Sequence, residues 1–310
     1  MIYVVGFLAA LFLRVIVHAG FEEGMAAYIQ DDYYTAYREF LPLAQEGNIV
    51  AQLALGWMYR EGRSVPQDAV EAVKWYRLAA EQGHFLAQYN LGLMYDNGEG
   101  VPQDAVEAVK WFRLAADQGH ASAQYDLGLM YDKGRGVPQD YKEAMKWYRP
   151  AAEQGYVLAQ FKLGVLCADG KGGSQDDAGA VKWFRLAAEQ GHASAQYNLG
   201  VMYDKGRGVP QDYAEAVKWY RIVAEQGDPD AQYNLGVMYD KGRGVPQDYV
   251  QAYLWYNLAV AQGYEKATKN RDIVTSKMSP AQFAQAQQLV REWLAKKAAD
   301  PPTLEQDKRK

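Results

Sequence analysis

The pair Leu-Gly occurs at Leu55-Gly56, Leu91-Gly92, Leu127-Gly128, Leu163-Gly164, Leu199-Gly200 and Leu235-Gly236, always 36 residues apart. The same step relates Trp75, Trp111, Trp147, Trp183, Trp219 and Trp255, and again Gly83, Gly119, Gly155, Gly191, Gly227 and Gly263. A fixed period of this length means one supersecondary element written repeatedly, each copy burying its apolar face on its neighbours. It overrides the prior of about two ordinary domains that the chain length alone would suggest.

Within one period, Ala87, Leu91, Met94 and Tyr95 fall at i, i+4, i+7 and i+8, one face of a first helix, helix A. After a loop, Val106, Ala108, Val109, Phe112, Leu114, Ala115 and Ala116 show helical spacing again and define helix B. Helices this short are marginal alone in water, so stability has to come from stacking hairpin on hairpin. The repeats read as 48–83, 84–119, 120–155, 156–191, 192–227 and 228–263.

The loop is the most literal part of the repetition: MYDKGRGVPQDY stands unchanged at 130–141, 202–213 and 238–249. A glycine-rich run opening onto a helix can cradle phosphate, but such loops follow a strand, and this one follows a helix. Turn chemistry accounts for it. Gly134 is placed to end helix A in a left-handed conformation, Gly136 to reverse the chain, and Pro138 to restrict the approach to the next helix. Asp68/Glu71, Asp104/Glu107, Asp140/Glu143 and Asp212/Glu215 have the spacing of a capping box, in which each side chain is expected to satisfy the other's backbone N–H.

These residues resemble the Sel1-like repeat family, relatives of the tetratricopeptide repeats. The family pattern is carried by Ala87, Leu91, Gly92, Tyr95, Gly98, Gly100, Val101, Asp104, Ala108, Trp111, Ala115, Ala116 and Gly119, and six such repeats cover about 48–263. The resemblance implies an all-α, right-handed α-solenoid, with a worn half-repeat capping the N-terminus over 20–47 and closing helices over 264–299, where Ser279-Pro280 reads as a helix start. The charged tail, 300–310, is expected to be disordered. The fourth repeat departs from the pattern at Cys167, Ser174 and Gly179 and is expected to be the most mobile; Pro42 and Pro150 fall late in helices B.

The first residues carry an apolar run, Ile2 to Leu13, then Arg14, then Val15 to Val17. That is too short and interrupted for a membrane span. It fits a secretory leader over 1–19 ending at Val17-His18-Ala19, with Gly20 as the mature start, although the basic residue expected near Met1 is missing. A buried apolar first helix and a mis-chosen start are the alternatives. A periplasmic or secreted location is therefore expected, with the cytoplasm as the alternative.

Chemistry is scarce. The formal charge is -5 and no Lys/Arg run tracks a phosphate backbone, which argues against nucleic acid. Cys167 is the only cysteine, so no intrachain disulfide or cysteine zinc site can form, and it falls at a core position as an inert thiol. The serines lack a G-x-S-x-G elbow. His84, His120 and His192 open successive repeats too far apart to share a metal, and are expected near the negative end of a helix. No cofactor or metal is expected.

What remains is the side of helix A turned away from the Ala/Leu/Met stripe. At about 100° per residue it presents Tyr89, Tyr125, Phe161, Tyr197 and Tyr233, with Leu93, Leu129, Val201 and Val237 beside them, edged by Asp96, Asp132, Asp204 and Asp240 and by Lys133, Lys205 and Lys241. The resemblance implies that this face lines a concave groove for a peptide or partner helix; packing between adjacent helices A is the other reading of the rings. The expected function is a non-catalytic protein-interaction scaffold of a bacterial envelope. The alternatives are activity on β-lactams, which the resemblance associates with cysteine-rich members, and a structural spacer.

Overall fold

The computed structural model of the chain describes residues 20–299. The expected leader over 1–19 and tail over 300–310 lie outside the described residues. All regular structure among the described residues is helical. The N-terminal half holds α1 (20–29), α2 (Tyr33–Gln45), α3 (Ile49–Glu61), α4 (Ala69–Glu81), α5 (Phe85–Asn97), α6 (Ala105–Asp117), α7 (Ala121–Lys133) and α8 (Tyr141–Glu153). Then come α9 (Val157–Asp169), α10 (Asp177–Glu189), α11 (Ala193–Lys205), α12 (Tyr213–Gln226), α13 (Pro229–Lys241), α14 (Tyr249–Ala261), α15 (Glu265–Lys277) and α16 (Pro280–Ala299). Helices A are the odd-numbered members from α3 to α13 and helices B the even-numbered ones from α4 to α14. The described residues form two compact units, divided between Ala159 and Gln160, each an α-solenoid of stacked hairpins.

Each hairpin closes as its loop sequence dictates. Helix α5 ends at Gly98, which holds φ 74° while its N–H bonds to Met94 O. The Asp104 N–H bonds back to Tyr95 O at 2.9 Å, and the Asp104 carboxylate accepts from the N–H groups of Val106 and Glu107. The reciprocal half of the expected capping box is not made, because helix A has already taken the cap N–H. Glu107 instead pairs with Lys110, as Glu71 does with Lys74 and Glu215 with Lys218. A reciprocal box forms at α16, where Gln282 N donates to Ser279 Oγ and Ser279 N to Gln282 Oε1. In the fourth repeat Asp176 caps only the N–H of Gly179, and Cys167 is buried. Pro150 sits inside α8, which runs on to Glu153.

The landmark glycines answer to packing. A Cβ on Gly92 would lie 2.6 Å from the Phe112 ring, so the Leu-Gly pair exists to let the helix B aromatic lie flat on helix A. A Cβ on Gly100 would lie 2.2 Å from Ala69 O, the start of helix B in the previous repeat. The second loop glycine is thus fixed by contact between repeats, beyond its role in reversing the chain. The cores also straddle repeat boundaries. Val73, Tyr76, Ala79 and Ala80 of α4 close on Ala87, Leu91 and Met94 of α5, and Val109, Phe112 and Ala116 of α6 on Leu127 and Met130 of α7.

A polar seam that the hydrophobic pattern did not reveal runs through these cores. Gln88 is buried, donates to Ala80 O at 3.1 Å and accepts from Gln118 Nε2 at 2.7 Å. In the N-terminal unit Gln82 bonds Gln52 and Gln154 bonds Gln124 in the same way; in the C-terminal unit Gln190 bonds Gln160 and Gln262 bonds Gln232. Satisfied on both sides, these amides fix register where apolar contacts alone would tolerate a slip. At the C-terminal end α16 packs on α14, with Phe283 edge-on to Tyr253 and Trp293 edge-on to Trp255.

Candidate functional site

Helix geometry puts the ring positions of helix A on the side away from the Ala/Leu/Met stripe, as expected, but the next repeat reaches over them. In the N-terminal unit, Tyr89 is half-buried, its ring 5.9 Å from Phe112 of its own repeat and 4.7 Å from His120 of the next. Tyr125 lies 5.6 Å from Tyr148 and 5.2 Å from Tyr156. In the C-terminal unit, Phe161 packs on Phe184 and His192, Tyr197 on Tyr220, and Tyr233 on Tyr256 and Tyr264. Each ring is a rung held between its own helix B and the following repeat, with one edge left open on the helix A face.

The hydroxyls are anchored too. Asn234 Nδ2 donates to Tyr197 OH and Asn270 Nδ2 to Tyr233 OH, both at 3.2 Å. Tyr89 OH faces the carboxylate of Asp126, which stands where Asn234 and Asn270 stand in their repeats. Burial pushes the Asp126 carboxyl up to about 6, nearby Asp96 adds to the rise, and the Tyr89 hydroxyl opposes it. Burial likewise pushes the Tyr125 phenol up to about 12. These Asn and Asp partners went unnoticed in the sequence. Their signal is a position that reads Asn90, Asp126, Asn198 and Asn234 in repeats otherwise almost identical.

The edge of the face differs from expectation. Leu93, Leu129, Val201 and Val237 are half-buried, and Lys133, Lys205 and Lys241 are exposed. Asp96 is engaged by Arg135 at 2.6 Å and Asp204 by Lys205 at 3.4 Å. Asp132 and Asp240 were expected to line an open edge; they are buried, at 9% and 4% exposure. Tyr148 OH lies 3.4 Å from Asp132, and Lys241 and Lys277 hold Asp240 at 2.9 and 3.3 Å. The reason is the helix B aromatic and the neighbouring repeat, which cover this position from sides that a single-helix projection does not include.

The histidines also correct the sequence reading. His120 and His192 cap the starts of α7 and α11, their Nδ1 atoms accepting from Ala123 N and Ala195 N at 3.2 Å. That is the positive end of a helix, and burial holds all three imidazoles below the usual histidine range, in the neutral form that can accept. Among the described residues no three His, Cys, Asp or Glu side chains gather as metal ligands, and no helix is long and apolar enough to cross a membrane.

Comparison with protein families matches the Sel1 repeat at 49–84, 86–120, 121–156, 157–192, 193–228 and 229–264. Among solved structures, the chain is similar to a Sel1 repeat protein from Oxalobacter formigenes, with 36% identity over 76% of this chain and 94% of that one and a TM-score of 0.62. It is also similar to a protective antigen present in uropathogenic Escherichia coli strains and displaying an SLR fold, with 28% identity over 92% and 93% of the two chains and a TM-score of 0.50. Comparison with curated proteins gives no significant match.

Proposed function

The chain belongs to the Sel1 repeat family, and on that premise we propose that it is a non-catalytic scaffold holding a polypeptide partner along its helix A faces, in the bacterial envelope. Sel1 repeat proteins are generally protein-interaction scaffolds. The observation that carries the reading is the fixed ring edges within each unit. Tyr89 and Tyr125 in one unit and Tyr197 and Tyr233 in the other keep an open edge while packing sets their position, and in Tyr197 and Tyr233 a hydroxyl bond adds to it. Rigid aromatic edges give contact area at little cost in side-chain entropy, which is what an interaction surface needs. The envelope location rests on the apolar leader-like start of the sequence.

The rings themselves are poor probes, since removing them opens cavities. Ser194 and Asp230 are exposed one turn before Tyr197 and Tyr233 and serve better. In pull-down from the native cell, Ser194→Arg/Asp230→Arg is expected to lose partners that the intact chain captures, with helicity unchanged. Leu78→Arg/Leu114→Arg, on exposed helix B positions, is expected to keep them. Loss with the second pair and retention with the first overturns the reading.

A further inference from the structure

The row of rings lacks one member. The first repeat carries Leu53 where the second and third carry Tyr89 and Tyr125. At that place the N-terminal unit has an open apolar pocket of about 250 Å³, lined by Tyr28 of α1, Leu53 and Trp57 of α3, Tyr76 of α4, and Leu86 and Asn90 of α5. Part of its lining corresponds to the seat of Tyr89: Tyr76 stands for Phe112, under the ring, and Leu86 and Asn90 stand for Ser122 and Asp126, the two groups beside the Tyr89 hydroxyl, with Met25 and Tyr28 of α1 added to the wall.

The Ser122 hydroxyl has no equivalent, but two other polar groups of a phenol seat are there. Asn90 is the counterpart of Asn234 and Asn270, which donate to tyrosine hydroxyls in the C-terminal unit; here its Nδ2 donates to Leu86 O at 2.8 Å and keeps a second N–H for a phenol. Tyr76 is fully buried, and its hydroxyl has no hydrogen-bond partner. The cause is legible: Arg60 occupies the position of Asp132, which lies beside Tyr148 OH in the third repeat, and Arg60 is turned to Glu99 at 3.1 Å. A buried hydroxyl left unpaired costs about 1–3 kcal/mol, and a ligand that pairs it recovers part of that. A second tyrosine does so readily, as the Tyr37 and Tyr59 hydroxyls pair at 2.9 Å in the same unit. The volume suits one ring, since an apolar cavity of about 150 Å³ already admits benzene.

We propose that this pocket receives a tyrosine side chain of a partner polypeptide, which takes the place of the missing rung. The ring lies over Tyr76 between Leu53 and Leu86, and its hydroxyl meets Asn90 and Tyr76. The polypeptide source rests on the scaffold reading; the phenol chemistry does not.

The test is calorimetric titration of the full chain with p-cresol, the tyrosine side-chain analogue, and with toluene. Saturable binding is expected, tighter for p-cresol than for toluene on the order of tenfold. Leu53→Tyr, which supplies the residue that other repeats already accommodate, is expected to abolish it with the fold intact by circular dichroism. Tyr76→Phe is expected to bring p-cresol down toward toluene. Absence of saturable binding, or binding indifferent to Leu53→Tyr, overturns the proposal. An acetyl-Gly-Tyr-Gly-amide peptide is expected to displace p-cresol and its Ala counterpart not to; failure of the tyrosine peptide to compete assigns the pocket to free phenols. Binding that appears only once residues 1–19 are removed assigns it to the chain's own N-terminus, and either result ends the proposal. No partner enters these titrations, so their failure is separate from failure of the pull-down.

Discussion

The first and second repeats share a backbone and differ in what fills it. In the second, Tyr89 bridges Phe112, His120 and Asp126, and Asp96 pairs with Arg135. In the first, Leu53, Arg60 and His84 stand at the corresponding places; a pocket opens, Tyr76 OH is unpaired, and buried His84 Nδ1 is unpaired too. Even the loop differs, for Ser64 holds φ 62° where Gly100 holds 69°. The lesson is that the hairpin is specified by the landmark residues, whereas the character of the helix A face depends on a few positions free to change from one repeat to the next.

Exchanging residues between the two repeats breaks or sharpens that contrast. Gly100→Ser, which copies the first repeat, drives a Cβ into Ala69 O and is expected to cost about 4 kcal/mol of stability in urea denaturation. Tyr89→Leu is expected to cost about 2–3 kcal/mol and to create a second p-cresol site; a loss without new binding would show that the first pocket needs α1 as well.

Asp126→Asn comes next. The folded carboxyl, raised to about 6 from an ordinary 3.8, holds a proton that the unfolded chain releases between those values, so stability falls as pH rises through that window. The variant is expected to flatten that slope and to gain about 2 kcal/mol at pH 7, seen as a higher Tm at pH 7 and little change at pH 4. Smallest is Ser64→Gly, expected within about 0.5 kcal/mol of neutral because relief of the left-handed strain offsets the added chain entropy.

Period, helix positions and loop closure were legible because each is a local or strictly repeated signal: Leu-Gly, the Asp caps and the αL glycines need no knowledge of the neighbour. The face was less legible. Burial of Asp132 and Asp240, the half-buried setting of Tyr89 and the capping role of His120 depend on contacts between a helix and its neighbours, which a wheel drawn for one helix leaves out. The glutamine seam was missed for a different reason. Gln88 is polar, and a search for apolar spacing passes over a buried amide satisfied on both sides. The Asn-to-Asp change at 126 was visible all along, but only when the repeats are aligned with one another.

Since helix B of one repeat packs on helix A of the next as well as on helix A of its own hairpin, no cut through the array leaves both pieces covered. Anyone lengthening, shortening or transplanting this array should move whole hairpins, cutting at the Gly-His junctions such as those after 83 and 119, where the thinner interface is divided and the seat of Phe112 on Gly92 stays whole. The apolar side left bare then needs a cover of the kind that α16 gives α14.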